Sequence, residues 1–253
     1  MKNQHARQCR ILVVQNNDEI RSALAATLES LGALVAAMSE PDEALARQDF
    51  DQFDLIISDL TSAPSEQAEL VRSFKIGTMS TESRCAVQAL QRIIEKTLSF
   101  KLHRIDATQQ IAHVREKIDL ELPSDLSLMN IVLEYLLDRV ARLGMIEVEQ
   151  SNLFVALDEA FVNAVKHGNR NDPTKLLRVT AELSAHEATF TVEDEGDGFD
   201  VREIPDPRDA ANLFKSSGRG VLLIYNIMDE VEYSQGGARL KMVKRPQTGS
   251  PVR

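Results

Sequence analysis

Apolar and polar positions divide the chain into two halves of different texture. In the first, short unbroken apolar runs alternate with amphipathic ones. Ile11-Leu12-Val13-Val14 reads as a buried strand, Glu19 to Leu31 as a helix ended by Gly32, and Ala33-Leu34-Val35-Ala36-Ala37 as a second strand. Pro41 to Arg47 reads as a short helix with Pro at its start, and Asp54-Leu55-Ile56-Ile57-Ser58 as a third strand. Strands that are apolar throughout and separated by helices predict a parallel sheet covered on both faces. Lys75 to Ser80 predicts a fourth strand.

From Arg84 to about Glu116 there is no Pro or Gly, and apolar residues recur at Val87, Leu90, Ile94, Leu98, Ile105 and Ile111. The spacings, mostly three or four, predict a long helix. Such a helix suits pairing with its copy in a homodimer, and equally packing against its own chain. Beyond it the texture changes. Ile118-Asp119-Leu120-Glu121-Leu122 alternates like a strand with one buried face. Pro123 to Leu143 and Val148 to His167 predict helices ended by Gly144 and Gly168. Lys175 to Leu183 and Glu187 to Asp194 predict paired strands turning at Ser184-Ala185-His186, and Arg239 to Lys244 a further strand.

Three motifs in the second half carry chemistry. The first is Leu157-Asp158-Glu159-Ala160-Phe161-Val162-Asn163, continuing to Lys166-His167-Gly168-Asn169. Glu159 and Asn163 are spaced i, i+4, so both lie on one helix face. An amide oxygen beside a carboxylate suits a hard cation such as Mg²⁺, which keeps waters and takes phosphate oxygens. Asn163 would be the metal ligand, and Glu159 would orient or deprotonate a nucleophile. Lys166, one turn on, is placed either to reach a phosphate or to be solvated at the helix end. The second motif is Asp194-Glu195-Gly196-Asp197-Gly198-Phe199 at the end of a strand, where a fixed carboxylate can accept a hydrogen bond from an exocyclic amine. Gly196 and Gly198 let the backbone approach a ligand or take positive φ. The third, Ser217-Gly218-Arg219-Gly220, precedes an apolar run that predicts a helix, whose N-terminal N–H groups suit phosphate. Arg219 points either at phosphate or outward at a partner. Each motif alone fits an ordinary turn or helix edge. Their order and spacing together make an ATP site.

Residues from about Ile118 to Lys244 resemble the anti-sigma-factor serine/threonine kinase branch of the GHKL (Bergerat-fold) ATPases. The lid segment Ile204-Pro205-Asp206-Pro207 and Asn212 to Gly220, and the tail Met228-Asp229-Glu230-Val231-Glu232-Tyr233-Ser234 with Gly236-Gly237, carry the resemblance to this branch. It implies an α/β sandwich with a mixed sheet, Mg²⁺ and ATP, and phosphotransfer to a serine or threonine of a small antagonist protein. A sigma factor is a second implied partner. The first stretch resembles a response-regulator receiver, a flavodoxin-like fold, with Asp59 where that family has its phosphoacceptor. Gln15 and Asn16 stand where it has acidic Mg²⁺ ligands, and no fifth strand ending in its lysine follows. The expectation is a degenerate, truncated receiver-like domain at 1–82, a linker helix at 83–116 and an ATPase domain at 117–247.

Helices before a GHKL domain also occur in histidine kinases. Here His103 is followed by Arg104 and His113 by Val114-Arg115-Glu116, without the acid and Pro of that family's acceptor site. Solvated helical histidines are the expectation. A rival class is a sequestering module that uses ATP structurally, against which the carboxylate of Glu159 argues.

Composition narrows the picture further. Net charge is −10 with no basic block, which argues against nucleic acid as the main partner. Cys9 and Cys85 show neither a disulfide framework nor metal-ligand spacing and read as ordinary reduced thiols. No run approaches the ~18 apolar residues of a membrane span, and Met1-Lys2-Asn3-Gln4-His5 leads into no signal-like apolar region. A cytoplasmic protein without membrane contact is expected.

Overall fold

The computed structural model describes residues 8–61, 70–78, 85–105, 114–145, 152–198 and 219–246. Among the described residues nine strands form one sheet: β1 (Arg10–Gln15), β2 (Leu34–Met38), β3 (Leu55–Thr61), β4 (Leu70–Thr78), β5 (Val114–Pro123), β6 (Leu176–Leu183), β7 (Ala188–Glu193), β8 (Glu230–Ser234) and β9 (Arg239–Lys244). Their order is β2-β1-β3-β4-β5-β6-β7-β9-β8. β1 runs parallel to β2 and β3, β4 is antiparallel to β3 but parallel to β5, and the remaining pairs are antiparallel. The sheet is therefore mixed, as expected for the second half. The first half begins with three parallel strands and then departs from an all-parallel flavodoxin-like sheet at β4.

Helices α1 (Asp18–Ser30), α3 (Val87–Phe100), α4 (Met129–Arg142), α5 (Leu153–Val162) and α6 (Arg219–Ile227) are distinct from the short α2 (Pro41–Leu45). One row of cross-strand partners, Gln15–Asp59–Phe74–Ile118–Ala181–Phe190–Met242, crosses from β1 to β9, and every member is buried. That face carries one continuous core, reaching from Cys9 to Met242 and including buried residues of α1, α3, α4 and α5. On the opposite face α2 covers only Leu12, Val14 and Phe53 with their neighbours. From β5 onward that face is polar. Arg178 Nε donates to Glu121 Oε2 at 3.0 Å and Thr180 Oγ1 to Asp119 Oδ1 at 3.0 Å. The strand texture explains the difference: β1 is apolar on both sides, whereas β5 alternates.

The segment expected as one linker helix is divided. α3 stops at Phe100, a single π turn covers Lys101–Ile105, and β5 begins at Val114. Pairing of β5 with β4 over Leu70↔Val114 to Ile76↔Leu120 overrides the helical spacing. The apolar stripe of α3, Leu90, Ile93, Ile94 and Leu98, is spent on the shared core, so it is not available as the dimer seam that its spacing suggested. No break in hydrogen bonding separates β3 from β4 or β4 from β5, so the sheet passes through the expected boundary at residue 82.

The cysteine expectation is corrected too. Cys9, at the entry to β1, and Cys85, just before α3, are joined as a disulfide with Cα atoms 5.1 Å apart. A separation of 76 residues gave no spacing signal; the approach of α3 to the start of β1 creates the pair. Among the described residues no helix is long and apolar enough to cross a membrane.

Candidate nucleotide site

Leu153, Ala156, Leu157, Ala160 and Phe161 bury one side of α5 in the shared core, and the helix packs against α4 and α6. Its last turn loosens into a π turn over Asn163–Gly168, a form that often marks functional positions. This turn brings the chain against the Asp194–Gly198 turn that leaves β7. The approach is close enough to require glycine on both sides. A Cβ on Gly168 would collide with the Asp194 carboxylate, and one on Gly196 with the Gly168 carbonyl. Gly198 has φ +70°, and a Cβ there would collide with the Gly236 carbonyl.

These segments enclose a cavity of about 340 Å³, of a size that holds a small ligand. Asn163, His167 and Asp194 supply polar groups. Ala160, Ala164, Val192, Val221 and Leu240 supply apolar walls, with Tyr233 and the Gly237-Ala238 backbone beside them. The carboxylate of Asp194 accepts from the Gly196 N–H at 2.8 Å, and its own N–H donates to the Ala238 carbonyl at 3.0 Å. Burial pushes the Asp194 carboxyl above its ordinary value, partly opposed by the Gly196 hydrogen bond and by Lys175. Burial likewise pushes the Tyr233 phenol up, so this residue stays neutral. A desolvated acceptor among apolar walls suits a flat heteroaromatic ring bearing an amine.

The expected residues are distributed as follows. Asn163, Asp194 and Gly198 line the cavity, and Gly196 supports it from behind. Glu159 lies one turn before Asn163, with its carboxylate against Gly220, where a Cβ would collide with it. That contact sets the N-terminal turn of α6 beside the acid. Lys166 is exposed at the helix end and does not line the cavity. The backbone of Arg219 opens α6, and Gly218 lies outside the described residues, as do the lid at 199–217 and His113. No cluster of three or more His, Cys, Asp or Glu that could hold a metal occurs among the described residues. The amide oxygen of Asn163 and the carboxylate of Glu159, one helical turn apart, are hard oxygen donors of the kind that Mg²⁺ takes together with phosphate oxygens and water.

Asp59 sits elsewhere, at the carboxyl end of β3, and is 5% exposed. Its Oδ1 accepts from Lys101 Nζ at 2.9 Å and its Oδ2 from Gln15 Nε2 at 3.0 Å. His103 is exposed on the π turn after α3.

Asn169, the last residue of the first motif, ties the site together. It is fully buried. Its Oδ1 accepts from the Glu195 N–H at 2.8 Å, its Nδ2 donates to the Leu176 carbonyl at 2.9 Å, and its N–H donates to Ala164 at 2.7 Å. One amide thus joins the π turn, the start of β6 and the Asp194–Gly198 turn. An Asn directly after the helix-ending Gly168 was the available signal. Asn169→Ala would strand a buried donor and acceptor, a change that costs about 1–3 kcal/mol per group. The expected result is a lowered melting temperature together with weakened nucleotide binding, read by thermal denaturation and calorimetry on the same sample.

Residues 122–244 match the family described as the histidine kinase-like ATPase domain. Among curated proteins, the chain is 24% identical over 135 residues to serine-protein kinase RsbW of Staphylococcus aureus strains MSSA476, MW2 and JH9. The aligned region spans 50% of this chain and 85% of each relative. The chain is thus similar to the histidine kinase-like ATPase domain over residues 122–244 and distantly similar to RsbW, while β1 to β4 and the helices among them lie outside the matched segment.

Proposed function

We propose that the protein is an ATP-dependent serine/threonine protein kinase of the anti-sigma-factor type, acting on a small antagonist-like protein and also binding a sigma factor. The observation that carries the reading is the cavity itself, which sets Asn163, Asp194 and the close-packed glycines Gly168, Gly196 and Gly198 around one apolar pocket, with Glu159 at its side. The family match over 122–244 and the likeness to a serine-protein kinase support it.

In this reading Asp194 accepts a hydrogen bond from the adenine amine, and Ala160, Ala164, Val192, Val221 and Leu240 flank the ring. The first turn of α6, from Arg219 and Gly220, offers backbone N–H groups to the phosphates, where the helix dipole favours negative charge. Asn163 would hold Mg²⁺ jointly with phosphate oxygens. The ion, when bound, neutralises phosphate charge. Glu159 orients the acceptor hydroxyl and takes its proton as the oxygen–phosphorus bond forms. The bond from the γ-phosphorus to the bridging oxygen breaks, and ADP leaves with that electron pair. Positioning and charge neutralisation supply most of the rate in such transfers.

The deciding experiment is incubation with γ-labelled ATP and candidate antagonist proteins encoded nearby. Acid-stable label on the partner is expected. Acid-labile label on the protein itself, abolished by replacing His103 or His113, would overturn the reading in favour of a histidine kinase.

Asp194 gives a second prediction. Its carboxyl is raised above the ordinary 3.8, and the ionised form is the better acceptor. ATP affinity should therefore hold at neutral pH and fall as pH drops through that raised value. For stability the sign is opposite: a raised acid costs stability above the pKa of the unfolded chain, and the cost disappears on protonation. Asp194→Asn should bind ATP more weakly at neutral pH and lose the pH dependence. Calorimetry across pH checks both, and unchanged affinity in Asp194→Asn would remove the adenine assignment.

A further inference from the structure

A carboxylate such as Asp194 does not choose among bases by itself. It only accepts hydrogen bonds, so the 2-amine of guanine satisfies it as well as the 6-amine of adenine. Turning the ring within its plane exchanges one for the other. Selection needs a second polar group, set apart from the first.

The cavity supplies one. Among the described residues, the side chains with polar atoms that line it are Asn163, His167, Asp194 and Tyr233. Asn163 opens the π turn, one helical turn beyond Glu159. His167 precedes Gly168, which packs against the Asp194 carboxylate, so it shares the Asp194 end. Tyr233 stands apart from all three. It is the cross-strand partner of Leu240, and Leu240 is the partner of Val192. These three residues form one row across β8, β9 and β7, on the helix-covered face and along the cavity. Neighbouring strands lie about 4.8 Å apart, which puts Tyr233 about 10 Å from Val192 across the row. Asp194 follows Val192 by two residues, so it continues the same face one step further along β7. The carboxylate and the phenol therefore stand at opposite corners of the cavity floor, with Leu240 between them. Burial, reinforced by the neighbouring Tyr225 phenol, pushes the Tyr233 hydroxyl above its ordinary value, so it keeps its proton and can donate.

We propose that Tyr233 is a specificity-determining residue of the nucleotide site: its O–H donates to a ring nitrogen of adenine while Asp194 accepts from the 6-amine. This role rests on the cavity being a nucleotide site. Two contacts at separate edges of the ring fix its orientation in the plane. Guanine in that orientation turns its carbonyl oxygen towards the Asp194 carboxylate, acceptor against acceptor. Guanine turned to offer its 2-amine instead moves its ring nitrogens out of line with Tyr233. The carboxylate alone rejects only the first of these poses, and the phenol rejects the second.

Calorimetry and tyrosine fluorescence test this. The chain has three tyrosines and no tryptophan, so phenol emission is read directly. ATP should change the emission of the wild type, and Tyr233→Phe should lose most of that change. Tyr233→Phe keeps the ring and should keep the wild-type melting temperature. It should bind ATP about 2–10-fold more weakly, as for loss of one neutral hydrogen bond. Its affinity for GTP should not fall, so the preference for ATP narrows by the same factor. One of 1-deaza-, 3-deaza- and 7-deaza-ATP should bind the wild type more weakly than ATP does, yet bind Tyr233→Phe as well as ATP does. Purine riboside triphosphate, which lacks the amine, should lose the same factor in both forms, because Asp194 and Tyr233 act at separate edges. If Tyr233 is only an apolar wall, Tyr233→Phe will bind ATP and GTP as the wild type does. That result overturns the proposal and leaves the nucleotide reading standing, as does a deaza series in which no analogue couples to the hydroxyl. A wild-type chain that binds no nucleotide removes the reading itself, and the role of Tyr233 with it.

Discussion

Glu159→Gln should still bind ATP but transfer phosphate about 10²–10⁴-fold more slowly, the usual range for loss of a general base. The substitution is nearly isosteric, and the carboxylate lies against the backbone of Gly220, so the packing of α5 on α6 should survive. What is lost is the ability to take a proton from the acceptor hydroxyl. A single-turnover assay separates the two effects: the nucleotide dissociation constant should stay near wild type while the transfer rate falls. If the chain only sequesters a partner and holds ATP structurally, Glu159→Gln would leave regulation of that partner intact, because no transfer occurs in either form. Asn163→Ala is the useful companion, since it should lose chiefly the Mg²⁺-dependent part of binding.

Much of the site was legible because its motifs are local. Glu159 and Asn163 share a face through helical spacing alone, and the Asp194 turn follows a strand whose alternation is clean. β9 runs from Arg239 to Lys244, as expected, and β6 and β7 begin one residue from their expected starts. What sequence spacing did not show is the wall opposite the motifs. Val221, Tyr233 and Leu240 reach the cavity only because β9 pairs with β7 and α6 lies over α5. Asn169 is similar. An asparagine after a helix-ending glycine reads as a turn residue, and only the tertiary fold brings Glu195 and Leu176 within its reach.

The first half was less legible, for a different reason. Charged residues in sequence read as surface, yet Arg72, Lys101, Glu116 and Arg139 are all buried on the helix-covered face. Arg72 Nη1 donates to Glu116 Oε1 at 3.1 Å, and Arg139 Nε to Glu116 Oε2 at 2.8 Å. The partners come from β4, β5 and α4, separations of 44 and 23 residues that no local pattern reports. β4 itself spans Leu70–Thr78 rather than starting at Lys75. Its central place in the sheet, between β3 and β5, joins what spacing suggested were two units.

Lys101→Met should be among the most destabilising single changes in the chain. Lys101 Nζ lies 2.9 Å from Asp59 Oδ1 and 4.5 Å from the centre of the Phe74 ring, inside the row of residues that crosses the sheet. Both side chains of the pair are almost completely buried. Taking away one partner leaves Asp59 as an uncompensated buried charge, which costs about 3–5 kcal/mol. For a chain of this size that corresponds to a fall in Tm on the order of 10 °C. Replacing both partners, with Asp59→Leu added to Lys101→Met, should recover much of the loss, because an apolar pair of similar volume needs no desolvation. Thermal denaturation of the two single variants and the double one measures the coupling, and an additive cycle would show that the pair does not interact. The same geometry bears on phosphorylation. Both Asp59 oxygens are engaged and the residue is 5% exposed, so a small donor such as acetyl phosphate should leave no adduct by intact-mass measurement. An adduct that disappears in Asp59→Ala would mean that Lys101 and Gln15 swing away in solution, and would restore Asp59 as a phosphoacceptor.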